Sequence, residues 1–330
     1  METKQLQQDL FRHLKDILPS HLSLADELCQ LLGLSADSIY RRMRGEKPIT
    51  LIELKLICDH YQLSIDQLLQ QQNDSVLFQA PGINNGAIPF EDQLRDVLAQ
   101  FNYFNSFSKR EIHYLSKDTP FWYFYLFPEM GAFKTFFWSK MINNEPMLAD
   151  KSFSLAEFPF DSCCAIGRQI LEAHCQMETV ELWNMESIHS SINQIAYYRD
   201  AGIFSNREDM IAVVDSFIRM LEHLQAQAAA GSKFMPGTAT PVYKGSIQLY
   251  VNELILGNNT ILLTLDDKKI SMITYSVFSY LITRDERFAE KGVATFNNLL
   301  SRSTLVSKSG EKERNRFFNA LKDKVNGLRK

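Results

Sequence analysis

Glycine and proline are sparse in this chain, 14 and 10 in 330 residues, which excludes collagen-like and low-complexity disordered architectures. Cysteine is sparse as well. The five residues Cys29, Cys58, Cys163, Cys164 and Cys175 are an odd number in a long chain, which argues against a disulfide framework and for a reduced, cytoplasmic setting. No uninterrupted apolar run reaches membrane length: the densest, Phe121 to Trp138, is broken by Pro128, Glu129, Gly131 and Lys134, so no membrane partner is expected. The opening METKQLQQDLFRHLKDILP has charges threaded through it and no apolar signal core. A large net charge is also missing. At −4, the balance alone gives no hint of nucleic acid. No nucleophile elbow, P-loop, H-E-x-x-H helix or dinucleotide glycine fingerprint occurs, and scattered His113, His189 and His223 lack a carboxylate or serine at motif spacing. Neither an enzyme nor a cofactor is therefore expected.

What is present is a 45% hydrophobic chain, long enough to bury a large core in two or three domains. Its charge is unevenly placed. Residues 1–72 hold 8 Lys+Arg against 10 Asp+Glu, yet four of those bases crowd into Arg41, Arg42, Arg44 and Lys47, while residues 302–330 hold 9 basic against 3 acidic residues. The first 72 residues read as five short helices. Leu6, Leu10, Leu14 and Ile17 recur at helical spacing. Ser23 and Ser35 stand as N-caps, and Gly33 and Gly45 as helix stops where a left-handed backbone is cheap. A fourth helix enters through Pro48-Ile49-Thr50, and a fifth spans Ser64 to Gln70.

The glutamine run at 70–72 and the Pro/Gly/Asn-rich stretch that follows read as a linker over 73–90. Beyond it, 91–330 reads as an α+β dimerisation or sensor region, with a possible subdivision near 231–241. Helices fit 91–107, 129–143, 162–176, 184–201, 206–230 and 310–327; strands fit 111–115, 247–256, 261–265 and 269–273. The expected fold class is thus α+β and multidomain: an all-α five-helix N-terminal domain, then a larger, mainly helical α+β domain with a small C-terminal sheet.

Leu24 to Leu32, the turn Gly33-Leu34-Ser35, and Ala36 to Arg44 meet the requirement of a helix-turn-helix, whose second helix lies in the DNA major groove. The segment LADELCQLLGLSADSIYRRMRGEKPITLIELKLICDHYQLSIDQLL resembles the lambda-repressor/Cro-like (Xre-type) DNA-binding domain, through Leu28, Gly33, Ser35, Ile39, Gly45, Pro48, Leu54, Ile57 and Leu68. The resemblance covers about a fifth of the chain and implies that Ala36, Asp37, Ser38 and Arg41 meet base edges of double-stranded DNA. Arg41 suits a bidentate contact to guanine, Ala36 a thymine methyl, Asp37 a cytosine amino group. It places Ser23, Tyr40, Arg42, Arg44 and Lys47 near phosphates. The acidic balance of this domain makes one copy a weak binder, so a homodimer reading an inverted repeat is expected.

Ten aromatics fall within the eighteen residues 121–138. Such density implies core and interface, and Phe121, Trp122, Tyr123, Tyr125 and Trp138 are candidates for an effector pocket. Cys163-Cys164 and His174-Cys175 invite a metal reading, but adjacent cysteines cannot both face one tetrahedral ion without strain, so no metal site is expected. Ser307, Lys308, Ser309, Lys312, Arg314 and Arg316 could form an anion-binding edge at the start of the last helix. The sequence as a whole reads as a cytoplasmic, sequence-specific transcription regulator whose C-terminal region dimerises and senses an effector. The alternative is an enzyme or a defence or toxin effector with an autoregulatory helix-turn-helix.

Overall fold

In the computed structural model the described residues are 3–18, 22–61, 63, 75–81, 88–238, 243, 245–253, 257–276 and 279–330. They divide into two compact units, Met1–Leu77 and Phe78–Lys330. Within the stretch read as a linker, Gln79 pairs through its backbone with Ile282, its amide donating at 2.7 Å and its carbonyl accepting at 2.8 Å, and Phe90 opens a helix.

The first unit contains α1 (Thr3–Ile17), α2 (Leu24–Leu32), α3 (Ala36–Met43) and α4 (Leu51–Tyr61). Each is short, so packing must supply most of its stability. Leu10, Phe11 and Leu14 of α1 meet Leu24, Ala25 and Leu28 of α2, Ile39 of α3 and Ile57 of α4 in one small core. The fifth helix expected at Ser64–Gln70 lies outside the described residues.

The second unit is α+β. Its helices are α5 (Phe90–Asn105), α6 (Pro128–Met141), α7 (Asp161–His174), α8 (His189–Asp200), α9 (Arg207–Ala230), α10 (Glu286–Leu300) and α11 (Glu311–Asn326). Its strands are β1 (Arg110–Leu115), β2 (Glu178–Trp183), β3 (Ile247–Val251), β4 (Thr260–Leu265), β5 (Lys268–Thr274), β6 (Tyr280–Thr283) and β7 (Thr304–Leu305). They form one seven-stranded sheet in the order β6-β5-β4-β1-β2-β3-β7. β1, β2 and β3 run parallel, joined through α6–α7 and α8–α9; the remaining pairings are antiparallel. Parallel neighbours require such helical crossovers.

Side-chain alternation assigns the two faces of the sheet. Ile112 and Tyr114 of β1, Trp183 of β2, and Ile261, Leu263 and Leu265 of β4 enter the large core shared with α5 to α9 and α11. Val180, Leu182 and Leu262 point to the opposite face, where Phe296 of α10 covers them. The sequence reading missed β2, because it attached these residues to no element and began a helix at 184. The helix starts instead at His189, after a turn in which the Asn184 amide donates to Ser187 Oγ at 3.0 Å. Among the described residues no helix is long and apolar enough to cross a membrane.

Candidate nucleic-acid interface

Ser23 caps α2 by accepting from the Asp26 amide, and Ser35 caps α3 by accepting from the Ser38 amide, each at 3.4 Å. Between them Gly33 takes φ +63°, a left-handed conformation that an L side chain would strain. The turn therefore stays short. Leu28 and Ile39 are fully buried across it, which fixes the roll of α3 and leaves Ala36, Asp37, Tyr40 and Arg41 outside, with Ser38 half-buried.

Arg41, Arg44, Lys47 and Ser23 are exposed. Arg42 is not. It is only 3% exposed, its Nη2 lies 2.7 Å from Glu53 Oε1, and its Nη1 donates to the Ser38 carbonyl at 3.1 Å. The expected phosphate contact by Arg42 is therefore corrected: this arginine is an internal brace between α3 and α4. Burial works to raise the Glu53 carboxyl, but the guanidinium and the Thr50 amide outweigh it and hold it below its ordinary range.

The sequence reading also missed what holds the end of α3. Gln7 of α1 donates to the carbonyls of Arg42 at 2.6 Å and Lys47 at 2.9 Å, and accepts from the Ile49 amide at 2.9 Å. One amide side chain thus secures the whole loop from α3 to α4. The entry to α4 is a reciprocal capping box. The Thr50 hydroxyl accepts from the Glu53 amide at 3.2 Å and the Glu53 carboxylate accepts from the Thr50 amide at 2.9 Å. The Thr-x-x-Glu signature at 50–53 was available as a signal. Glu46 lies beside two of the exposed bases, 2.6 Å from Arg44 and 3.8 Å from Arg41. The outward surface therefore offers Arg41, Arg44 and Lys47 against Asp37 and Glu46.

This arrangement has a counterpart among known families. Residues 17–101 match the BetR domain. That family contains a helix-turn-helix and binds DNA, which suggests a DNA-binding regulatory role for the chain. The BetR match takes in α2, α3 and α4 and runs on through most of α5. Comparison with curated proteins and with solved structures finds no match for this chain.

Beyond the BetR match, the aromatic candidates for an effector pocket separate. The 3₁₀ helix Phe121–Leu126 buries all six of its side chains. Phe121 and Trp122 wall an apolar cavity of about 80 Å³ with Phe101, Ile112 and Met272, and Phe121 and Trp138 line a larger one of about 590 Å³. Tyr123 and Tyr125 line neither and are corrected to core residues. Tyr123 donates its hydroxyl to buried Glu181 at 2.5 Å. The Tyr125 ring lies so close to Gly167 that a Cβ there would sit 2.2 Å from Cγ.

Burial pushes the thiols of Cys163 and Cys164 up to about 12 and that of Cys175 up to about 11, which favours the protonated thiol over the thiolate in all three. Of the six residues considered for an anion-binding edge near α11, Lys308, Ser309, Lys312 and Arg316 are exposed, whereas Ser307 and Arg314 are corrected to buried positions. Ser307 is buried and donated to by the Leu249 amide, and Arg314 is turned inward to the carbonyls of Val306 and Lys308.

Proposed function

We propose that this protein is a sequence-specific DNA-binding transcription regulator of the lambda-repressor/Cro-like (Xre) type, working in the cytoplasm as a homodimer and without catalytic activity. The observation that carries the reading is the outward face of α3, on which Ala36, Asp37, Tyr40 and Arg41 are all exposed on a helix braced by α1, α2 and α4. In the major groove the Arg41 guanidinium donates two parallel hydrogen bonds to guanine, and Ala36, Asp37 and Ser38 adjust the flanking preference. Arg44, Lys47, Tyr40 and the capped start of α2 at Ser23 set register on phosphates. Three outward bases against two acids give one copy few phosphate contacts. Two copies on an inverted repeat supply the remainder. The unit Phe78–Lys330 provides the dimer contacts and responds to an effector through unequal affinity for two arrangements of the recognition helices.

The test uses duplexes that the full-length protein selects from a random pool, followed by fluorescence anisotropy over a salt series. Log affinity is expected to fall linearly with log salt. Arg41→Ala is expected to cost about 1–3 kcal/mol and to relax the preference at one base pair. A flat salt plot, or an Arg41→Ala protein with unchanged affinity and selectivity, overturns the reading.

A further inference from the structure

The aromatic run hides a lysine that sequence reading passed over as an interruption. Lys134, on α6, is only 2% exposed. Its Nζ lies 2.7 Å from Ser191 Oγ and 2.6 Å from Gln194 Oε1, both on α8, and 4.1 Å from the centroid of the Phe124 ring. All of these partners are neutral, and among the described residues no carboxylate forms an ion pair with it. A buried ammonium with no carboxylate in direct contact is costly, although Asp118 attracts it from a distance. Its surroundings explain what could compensate it. Lys134, Ser191 and Gln194 line the cavity of about 590 Å³, a volume suited to a small organic ligand.

Two further features define the ligand's charge. Ser190 and Ser191 lie in the first turn of α8, whose start has no side-chain cap, so the positive end of that helix adds to the field of Lys134. Asp118 lies at the same end, its carboxylate accepting from Ser190 Oγ, while exposed Lys117 stands at the rim of the cavity. Lys117 and a protonated Lys134 against the one carboxylate of Asp118 leave room for one negative charge and disfavour a phosphate dianion. Four rings, Phe124, Trp138, Tyr275 and Tyr280, line the cavity beside the polar side chains of Thr119, Asn258, Asn259 and Thr274. Rings favour a flat, unsaturated body stacked or edge-on against them.

We propose that this cavity binds a small aromatic carboxylate, its carboxylate received by Lys134 and the first turn of α8, and its ring lying among Phe124, Trp138 and Tyr280. The site goes beyond the DNA-binding reading. It belongs to the second unit alone, and its test reads ligand binding without DNA, so either conclusion can fail while the other stands.

Benzoate, cinnamate and the neutral isostere benzamide are titrated into the full-length protein by calorimetry, with tryptophan emission as a second readout. The carboxylates are expected to saturate at millimolar concentrations or below, and benzoate to bind at least tenfold more tightly than benzamide. Lys134→Met is expected to abolish that preference. Lys117→Glu alters an exposed side chain and leaves the core intact; it is expected to weaken benzoate several-fold and leave benzamide unchanged. The proposal is overturned if neither carboxylate saturates, if benzoate and benzamide bind the wild-type protein alike, or if Lys117→Glu and a folded Lys134→Met protein both retain the wild-type preference for benzoate.

Discussion

Glu46 carries the sharpest consequence at the scale of single residues. Its carboxylate contacts Arg44 bidentately and reaches Arg41, so in the absence of DNA it occupies guanidinium donors that phosphate or guanine would use. These groups are exposed, so the ion pairs themselves contribute little to stability, but under the proposed function they compete with phosphate and base edges for the same donors. Glu46→Gln is expected to tighten binding to selected duplexes several-fold and to steepen the salt dependence by close to one counterion, as seen in anisotropy titrations. Unchanged affinity would mean that Arg41 and Arg44 do not reach DNA.

At the scale of elements, α3 is defined by what braces it. Glu53 serves two elements at once, closing the cap of α4 and neutralising Arg42. Glu53→Gln keeps the shape and removes the charge, leaving a buried guanidinium uncompensated, at a cost of about 2–3 kcal/mol given that Glu53 is partly solvated. Amide hydrogen exchange in α3 and α4 is expected to accelerate roughly 30- to 150-fold, with α5 to α11 unaffected.

The helices were legible because their buried positions recur every three to four residues and their ends carry Ser, Thr or Gly. β2 was not, because its central residue is a glutamate. Buried Glu181 accepts from Tyr123 and from Trp183 Nε1, partners that no local pattern reveals. The outward face of α3 was legible at Ala36, Asp37 and Arg41, whose exposure follows from the helical phase of Ile39. It was not for Arg42, whose partner stands eleven positions away, nor for Gln7, whose three bonds all cross more than thirty residues. Lys134 was obscured for a related reason: a lysine inside an apolar run reads as a flaw until the fold sets α8 against it.

For the whole molecule, the two buried lysines of the second unit make its stability depend on pH. Burial pushes both Lys134 and Lys233 down to about 7, against the pull of Asp118 on the former and of Cys175, Glu181 and Glu178 on the latter. In the unfolded chain each holds its proton up to about 10.4. Between these limits the unfolded state binds more protons at Lys134, so this lysine makes stability rise with pH at up to about 1.4 kcal/mol per unit, and its desolvation penalty is fully present below pH 7. Lys134→Met removes one share. Urea unfolding followed by tryptophan emission is the suitable measurement, since Trp122, Trp138 and Trp183 all lie in the second unit. Relative to the variant, the wild-type protein is expected to gain up to about 2 kcal/mol between pH 7 and pH 9. Parallel curves would mean that Lys134 stays charged in the fold.

The Gln7 clamp also bears on how the N-terminal helical unit could be excised. A polypeptide cut at the family bounds, 17–101, would discard Gln7 together with Leu10, Phe11 and Leu14. The loop after α3 would lose its three tethers, and Leu28, Ile39 and Ile57 would face water. Any minimal fragment that is to stay folded must reach upstream to include α1.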